Sequence, residues 1–300
     1  VGGQALIEGV MMRGKDKISW AVRRGPEDIL VEHEAFVSVT KKYPILKLPV
    51  LRGAVSLFES LGIGYKALSR SADIIEESER AKKEAPKAEV KTKKISDKIY
   101  SILSFMLAIA ISIGLFMYAP MWIIGTFVPQ DSALLFNTLT GIFRIILFIG
   151  YLLAISMLKE IRRVFEYHGA EHKAIFAYED GKEITYDNMN AYTTLHPRCG
   201  TSFIFLVGMI CILLFSIVDA IYIGYFGPFP NTAVRLLVHL LLIPVISGTS
   251  YEVLKLSDKY QHIPIVNLLI QPGLWLQKIT TKQPDKDQLE VASLALKAVI

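Results

Sequence analysis

The chain has 300 residues, of which 52% are hydrophobic and 20% charged, with a formal net charge of +5. So apolar a chain of this length is not an ordinary soluble domain. No nucleic-acid motif of a common kind occurs, so the basic excess is read as a membrane-side bias with affinity for anionic lipid.

In chain order, Gly2–Val39 reads as a small β-rich piece. The stretch KISWAVRRGPEDILVEHEAFVSV sets apolar and aromatic residues on both sides of an Arg-Gly-Pro-Glu-Asp turn, which is a hairpin pattern. Residues 1–44 are taken as this cytoplasmic segment. Residues 45–75 hold a helix, because Leu51, Val55, Phe58, Leu61, Tyr65 and Leu68 recur at three- and four-residue spacing. Its stripe would lie on a membrane surface or pack on a cytoplasmic loop. A shallow re-entrant insertion is the third placement. Residues 76–98 carry mixed charge without an apolar period and read as a solvated helix extension or a loose linker.

Four apolar runs follow within residues 99–255: Ser101–Val128, Leu134–Leu158, Phe203–Phe226 and Ala233–Tyr251. Each has about the 20 residues of helix that cross a bilayer core. The connections Pro129–Ala133 and Gly227–Thr232 are short and lack Lys and Arg, whereas the N-terminal segment, the loop 159–202 and the tail are rich in both. The positive-inside rule then places both termini and the middle loop in the cytoplasm. The expected fold is mainly α, with four transmembrane helices as two helical hairpins in a bacterial cytoplasmic membrane. A small N-terminal β-rich piece and amphipathic or interfacial helices complete it. No apolar run is N-terminal, so no cleavable signal is expected, and a first residue of Val implies numbering that starts inside a longer chain. Cys211 lies within a run and Cys199 on the cytoplasmic side, so no structural disulfide is expected. In the tail, residues 256–300, Pro264–Trp275 is short, broken by Pro272-Gly273, and suits an interfacial segment. PDKDQLEVASLALKAVI reads as an amphipathic helix capped by Asp285 or Asp287.

The chemistry concentrates in the loop 159–202. YHGAEHKAIF contains His168, Glu171 and His172 in an H-x-x-E-H string. If the second span continues into it as helix, the two imidazoles lie one turn apart on one face, about 40° from each other. That geometry lets two His share a metal while Glu171 reaches a bound water as general base. The same string also suits a plain polar helix end. LHPRCGTSF adds His196 and Cys199, an H-x-x-C pair with zinc-binding atoms, or else a loop capping the third span. Glu252, at the end of the fourth span, returns to the same surface, as a further ligand or as the partner of a nearby Lys or Arg. Inside the spans, Arg144, Asp219 and His239 lie at similar depths. They are expected to meet as one intramembrane polar network, structural or proton-conducting.

The opening GGQALIEGVMMRG, with YHGAEHKAI, HPRCGTSF, SYEVLKL and QPGLWLQKITTKQPD, resembles the YqhQ-like family of bacterial membrane proteins of unknown function. The resemblance covers nearly the whole chain and implies a full-length, single-architecture protein. Members of that family are commonly labelled predicted metal-dependent enzymes. The resemblance also implies that Gln4, Glu8 and Arg13 belong to the functional surface. From the residues, glycines 2, 3, 9 and 14 permit close backbone approach, so the segment could fold over the loop carrying His168 and His172. Two functions are expected on these grounds. The first is a hydrolase of a peptide or lipid-linked substrate, using zinc or another divalent ion held by His168, His172 and one or two of His196, Cys199 and Glu252, with Glu171 catalytic. The second is a membrane scaffold or assembly factor whose His/Cys cluster is structural. The expected partners are membrane lipids and other membrane proteins, with no nucleic acid.

Overall fold

The computed structural model describes residues 1–83, 95–129, 132–260 and 262–300. The strands are β1 (Gly2–Leu6), β2 (Gly9–Arg13), β3 (Lys17–Gly25) and β4 (Asp28–Ala35). The helices follow as α1 (Val39–Lys42), α2 (Leu51–Lys83), α3 (Ile95–Ile113), α4 (Ala119–Gly125), α5 (Ala133–Ser156) and α6 (Lys159–Glu179). Then come α7 (Tyr186–Asn190), α8 (Gly200–Phe226), α9 (Thr232–Leu241), α10 (Ile243–Lys259), α11 (Pro264–Thr280) and α12 (Lys286–Lys297). Two compact units result. One holds Val1–Lys82, Leu152–Leu206 and Ser247–Ile300; the other holds Lys83–Tyr151 and Val207–Ile246.

In the first unit the strands form an antiparallel sheet in the order β1-β2-β3-β4. The pair Gly25↔Asp28 closes a hairpin around Pro26-Glu27, within the Arg-Gly-Pro-Glu-Asp turn. The pair Leu6↔Gly9 closes another around Ile7-Glu8. Glu8 there has φ 51, a left-handed conformation that is uncommon for a residue with a side chain. Arg163 and the Tyr167 hydroxyl hold its carboxylate in place. Side chains alternate along β2 and β3, and both faces are apolar. Val10, Met12 and Ala21 meet α6 and α12 on one side. Met11, Ile18, Trp20 and Val22 meet Ala67 and Ile74 of α2 on the other. A sheet covered on both faces gives strands without polar alternation.

The apolar stripe of α2 is turned the other way from a protein-packing face. Ala54, Ala67, Ser71 and Ile74 are buried, while Leu51, Phe58, Leu61, Tyr65 and Leu68 are exposed. Small side chains let the helix backbone come close to the sheet. At Gly64 an added Cβ would strike the Gln4 carboxamide. The stripe is therefore not packed on the loop 159–202. The helix runs on to Lys83, so the charged stretch begins as a helix extension, and its residues 84–94 lie outside the described residues. The tail helix α11 continues through Pro272-Gly273 instead of breaking there. α12 begins on a capping box formed by Asp285 and Gln288, and its Leu289, Val291 and Leu296 are buried against the sheet and α6.

The second unit is built from long apolar helices. Ile102–Gly125, Ala133–Ser156 and Phe203–Phe226 are each long and apolar enough to cross a membrane. The fourth expected run is instead a bent pair, Thr232–Leu241 and Ile243–Ser257, at 48°. Among the described residues the count is three such helices, or four if the pair acts as one. Within the first, Gly114–Tyr118 widens into a π turn just before Pro120, which has no N–H to donate back to the preceding turn. Many of their large apolar side chains, among them Leu103, Leu107, Ile146 and Leu213, are exposed.

Candidate functional site

The second apolar helix does not continue into the H-x-x-E-H string. α5 ends at Ser156, and α6 starts afresh after Leu158, which has extended backbone. Within α6, His168 and His172 still lie one turn apart, with ring centroids 4.5 Å from each other. The loop after α7 returns Cys199 to them, at the N-terminus of α8. One donor atom from each of His168, His172 and Cys199 lies within 4.8 Å of the others.

The hydrogen bonds decide which atoms face inward. His168 Nδ1 is 2.8 Å from the carbonyl of Thr280, and His172 Nδ1 is 2.5 Å from that of Thr194. A carbonyl only accepts, so both Nδ1 atoms carry protons, and in the neutral rings both Nε2 atoms present bare lone pairs. The Cys199 sulfur lies 3.3 Å from His168 Nε2. A tetrahedral zinc with Zn–S of about 2.3 Å and Zn–N of about 2.0 Å needs a sulfur–nitrogen separation of roughly 3.5 Å. The Cys199–His168 pair is close to that separation, and the three-residue group could hold a metal ion.

Glu171 stands beside the group. Its Oε2 is 3.5 Å from His172 Nε2 and 3.9 Å from His168 Nε2. The carboxyl is buried beneath β1, where Gly3 donates its backbone N–H to it. A Cβ at Gly3 would sit 2.6 Å from Glu171 Cγ, so only glycine lets the strand pass this close. Burial pushes the Glu171 carboxyl up to about 7, while His168 and the Gly3 N–H act to lower it.

The other expected site residues lie differently. His196 is adjacent, its ring 5.6 Å from that of His172, but both of its nitrogens are engaged. Arg198 N–H donates to Nδ1 at 3.2 Å, so Nε2 carries the proton and faces Glu179 at 3.4 Å. Burial holds its pKa down to about 4, so the ring is neutral and has no lone pair to give. Glu252 is not at the cluster. It forms a two-pronged pair with Arg52. Of the opening motif, Glu8 binds Arg163, Arg13 lies 3.4 Å from Glu59 and over the Phe36 ring, and Gln4 faces α2. These side chains tie the sheet to its helices.

Several positioning residues gave no sequence signal of their own. Gln277 clamps the His196 backbone, accepting from its N–H at 2.7 Å and donating to its carbonyl at 2.8 Å. Lys173 is buried and donates to the carbonyls of Asn190 and Tyr192, which anchors the loop that leads to Thr194.

The second unit holds a separate polar cluster, centred on Asp219. Its Oδ2 accepts from Arg235 Nε at 2.8 Å, Arg235 Nη2 at 2.5 Å and Asn137 Nδ2 at 2.7 Å. Its Oδ1 accepts from His239 Nε2 at 2.9 Å. Arg144, the expected partner of Asp219, instead donates to the Met117 carbonyl at 3.3 Å. The turn between α8 and α9, capped by Asn231, brings Arg235 back onto Asp219 and puts His239 one turn further along the same face. Arg235 lies over the Phe136 ring at 3.6 Å, and His239 stacks on Phe215 at 3.8 Å.

The family profile described as "Protein of unknown function (DUF1385)" matches residues 48–300. The chain belongs to that family. The matched residues include all of α6, with His168, Glu171 and His172, and Cys199 just before α8. A relative of the chain is "Uncharacterized protein YqhQ" of Bacillus subtilis (strain 168), 36% identical over 304 residues, covering 97% of this chain and 89% of that protein. No solved structure matches.

Proposed function

We propose that this family member is a multi-pass protein of the bacterial cytoplasmic membrane that carries a zinc-type centre at its cytoplasmic face. The ligands are His168 Nε2, His172 Nε2 and Cys199 Sγ. The observation that carries this reading is convergence: one donor atom from each of His168, His172 and Cys199 lies within 4.8 Å of the others, with the buried Glu171 carboxyl beside both rings. A divalent ion held there would supply Lewis acidity. Glu171, beside both imidazoles, is then placed to take a proton from an attacking water, as in hydrolysis of a peptide or lipid-linked ester.

A second reading has an observation of its own. Glu171, His172 and Cys199 are 5%, 2% and 6% exposed, a degree of burial that suits a closed structural site with Glu171 as fourth ligand. The protein would then be a scaffold for other membrane proteins. Glu171→Gln separates the two. In the hydrolase reading the purified variant keeps about one equivalent of metal, and its cobalt-substituted form changes colour when azide occupies the open position. Loss of metal in Glu171→Gln, with a wild-type cobalt spectrum indifferent to azide, would sink the hydrolase and leave the scaffold.

The orientation is tested in cells. Cysteines placed at Ser132 and Asn231 should react with an impermeant maleimide from outside, whereas one at Lys182, exposed in the α6–α7 connection, should react only after lysis. External labelling at Lys182 would overturn the cytoplasmic placement of the metal centre.

A further inference from the structure

Away from the His/Cys cluster, the first unit has a cavity of about 380 Å³ with a basic wall. Arg13, Lys15, Lys41, Lys47 and Arg52 line it, against a single lining carboxylate, Glu59. Much of that carboxylate is already spent. Its oxygens accept from Ser38 Oγ at 2.9 and 3.0 Å and from Val39 N–H at 2.6 Å, which leaves Arg13 at 3.4 Å. Lys41 pairs with Asp16, and Arg52 with Glu252. Among the described residues, no carboxylate pairs with Lys15 or Lys47. The Ser38 hydroxyl is spent on Glu59 and lies 2.8 Å from that of Thr40, so Ser56 is the hydroxyl left to add a donor to the wall. Surplus positive charge beside a hydroxyl is the chemistry of an anion site, and of phosphate in particular.

The surroundings narrow the source of that phosphate. The stretch that supplies Lys41, Lys47 and Arg52 also exposes Tyr43, Ile45, Leu48 and Leu51, and the exposed stripe of α2 continues from it. A free anion has no use for an apolar border, but a phospholipid does. Tyr251 of α10 forms part of the wall, and Ile243–Ser257 of that helix belongs to the bent apolar pair. The cavity therefore lies beside a helix that can enter a bilayer, where Tyr, Lys and Arg gather at the headgroups. Val50 marks the same place. It holds φ 69, which is strained for a β-branched residue, while its N–H reaches Glu252 at 3.4 Å and its carbonyl presses on Gly248.

We propose that this cavity binds the phosphate head of an anionic phospholipid, whose acyl chains lie along the exposed stripe of α2. The proposal rests on the membrane reading and is independent of the metal centre. The test uses the full chain in a neutral detergent, titrated with dioleoyl-phosphatidylglycerol, with dioleoyl-phosphatidylcholine and, separately, with inorganic phosphate, the bound species being counted by native mass spectrometry. Phosphatidylglycerol should bind at least about tenfold more tightly than phosphatidylcholine, and Lys15→Ala with Lys47→Ala should cost roughly thirtyfold. Both lysines are exposed, so the melting temperature of the lipid-free variant should match wild type, which excludes misfolding as the cause. Equal binding of the two lipids, or an unchanged double variant, would overturn the proposal. Displacement of phosphatidylglycerol by an equal concentration of inorganic phosphate would overturn the lipid source. A chain that stays soluble without detergent would overturn the membrane reading itself, which is a separate failure.

Discussion

Asp219→Asn is expected to destabilise the protein by about 3 kcal/mol. Asp219, Arg235 and His239 are fully buried, and the carboxylate is the shared acceptor for Arg235, His239 and Asn137. Removing its charge strands the Arg235 guanidinium, and breaking a buried pair from one side costs about 3–5 kcal/mol. The melting temperature of the detergent-solubilised chain should fall by roughly 6–12 °C, compared at one scan rate. Arg235→Gln added to Asp219→Asn should recover part of the loss, because the stranded charge goes with it. Arg144→Gln added to Asp219→Asn should recover nothing, since Arg144 bonds to the Met117 carbonyl. A single variant as stable as wild type, or rescue through Arg144, would mean that the buried pair is not the one described.

The second large effect is expected at His172. The wild-type chain should purify with about one equivalent of zinc, and His172→Ala should lose nearly all of it. Loss of a supporting hydrogen bond to a metal-binding His already weakens binding by about 10–100-fold. Removing the imidazole itself should exceed that. Metal bound only by the folded state stabilises it by about 4 kcal/mol at a thousandfold excess over its dissociation constant. Chelation of the wild type should therefore lower its melting temperature by roughly 8–16 °C, while the already metal-free His172→Ala should not respond to chelator. His196→Ala should retain the metal, because its ring nitrogens are occupied by Arg198 and Glu179. Wild-type protein free of metal after growth in zinc-replete medium would remove the basis for the centre. So would a His196→Ala variant that loses metal while Cys199→Ala keeps it.

The sequence by itself determined what is local. The three- and four-residue spacing of His168 and His172 places both rings on one helical face wherever the helix lies, because the period belongs to the backbone. The same holds for the Pro26-Glu27 hairpin, for a cap at Asp285 or Asp287, which the structure places at Asp285, and for the long apolar runs, each set by residues within a few positions of one another. Choices between distant partners were left to the tertiary structure. His196 and Cys199 were equal as ligands on paper. The Arg198 N–H and the Gln277 clamp turn His196 away, and the start of α8 holds the Cys199 sulfur toward His168. Glu252 could have closed the site, but Arg52 lies nearer. The sequence pointed to Arg144 as the guanidinium near Asp219, and the α8–α9 turn brings Arg235 there instead. The periodicity of α2 showed two unlike faces without saying which is covered. The narrow face won, because Ala54, Gly64 and Ala67 allow a close backbone approach that Phe58 and Leu61 would prevent. In each case the deciding quantity is the distance between residues far apart in sequence. Helical and strand periods do not contain that distance; packing sets it.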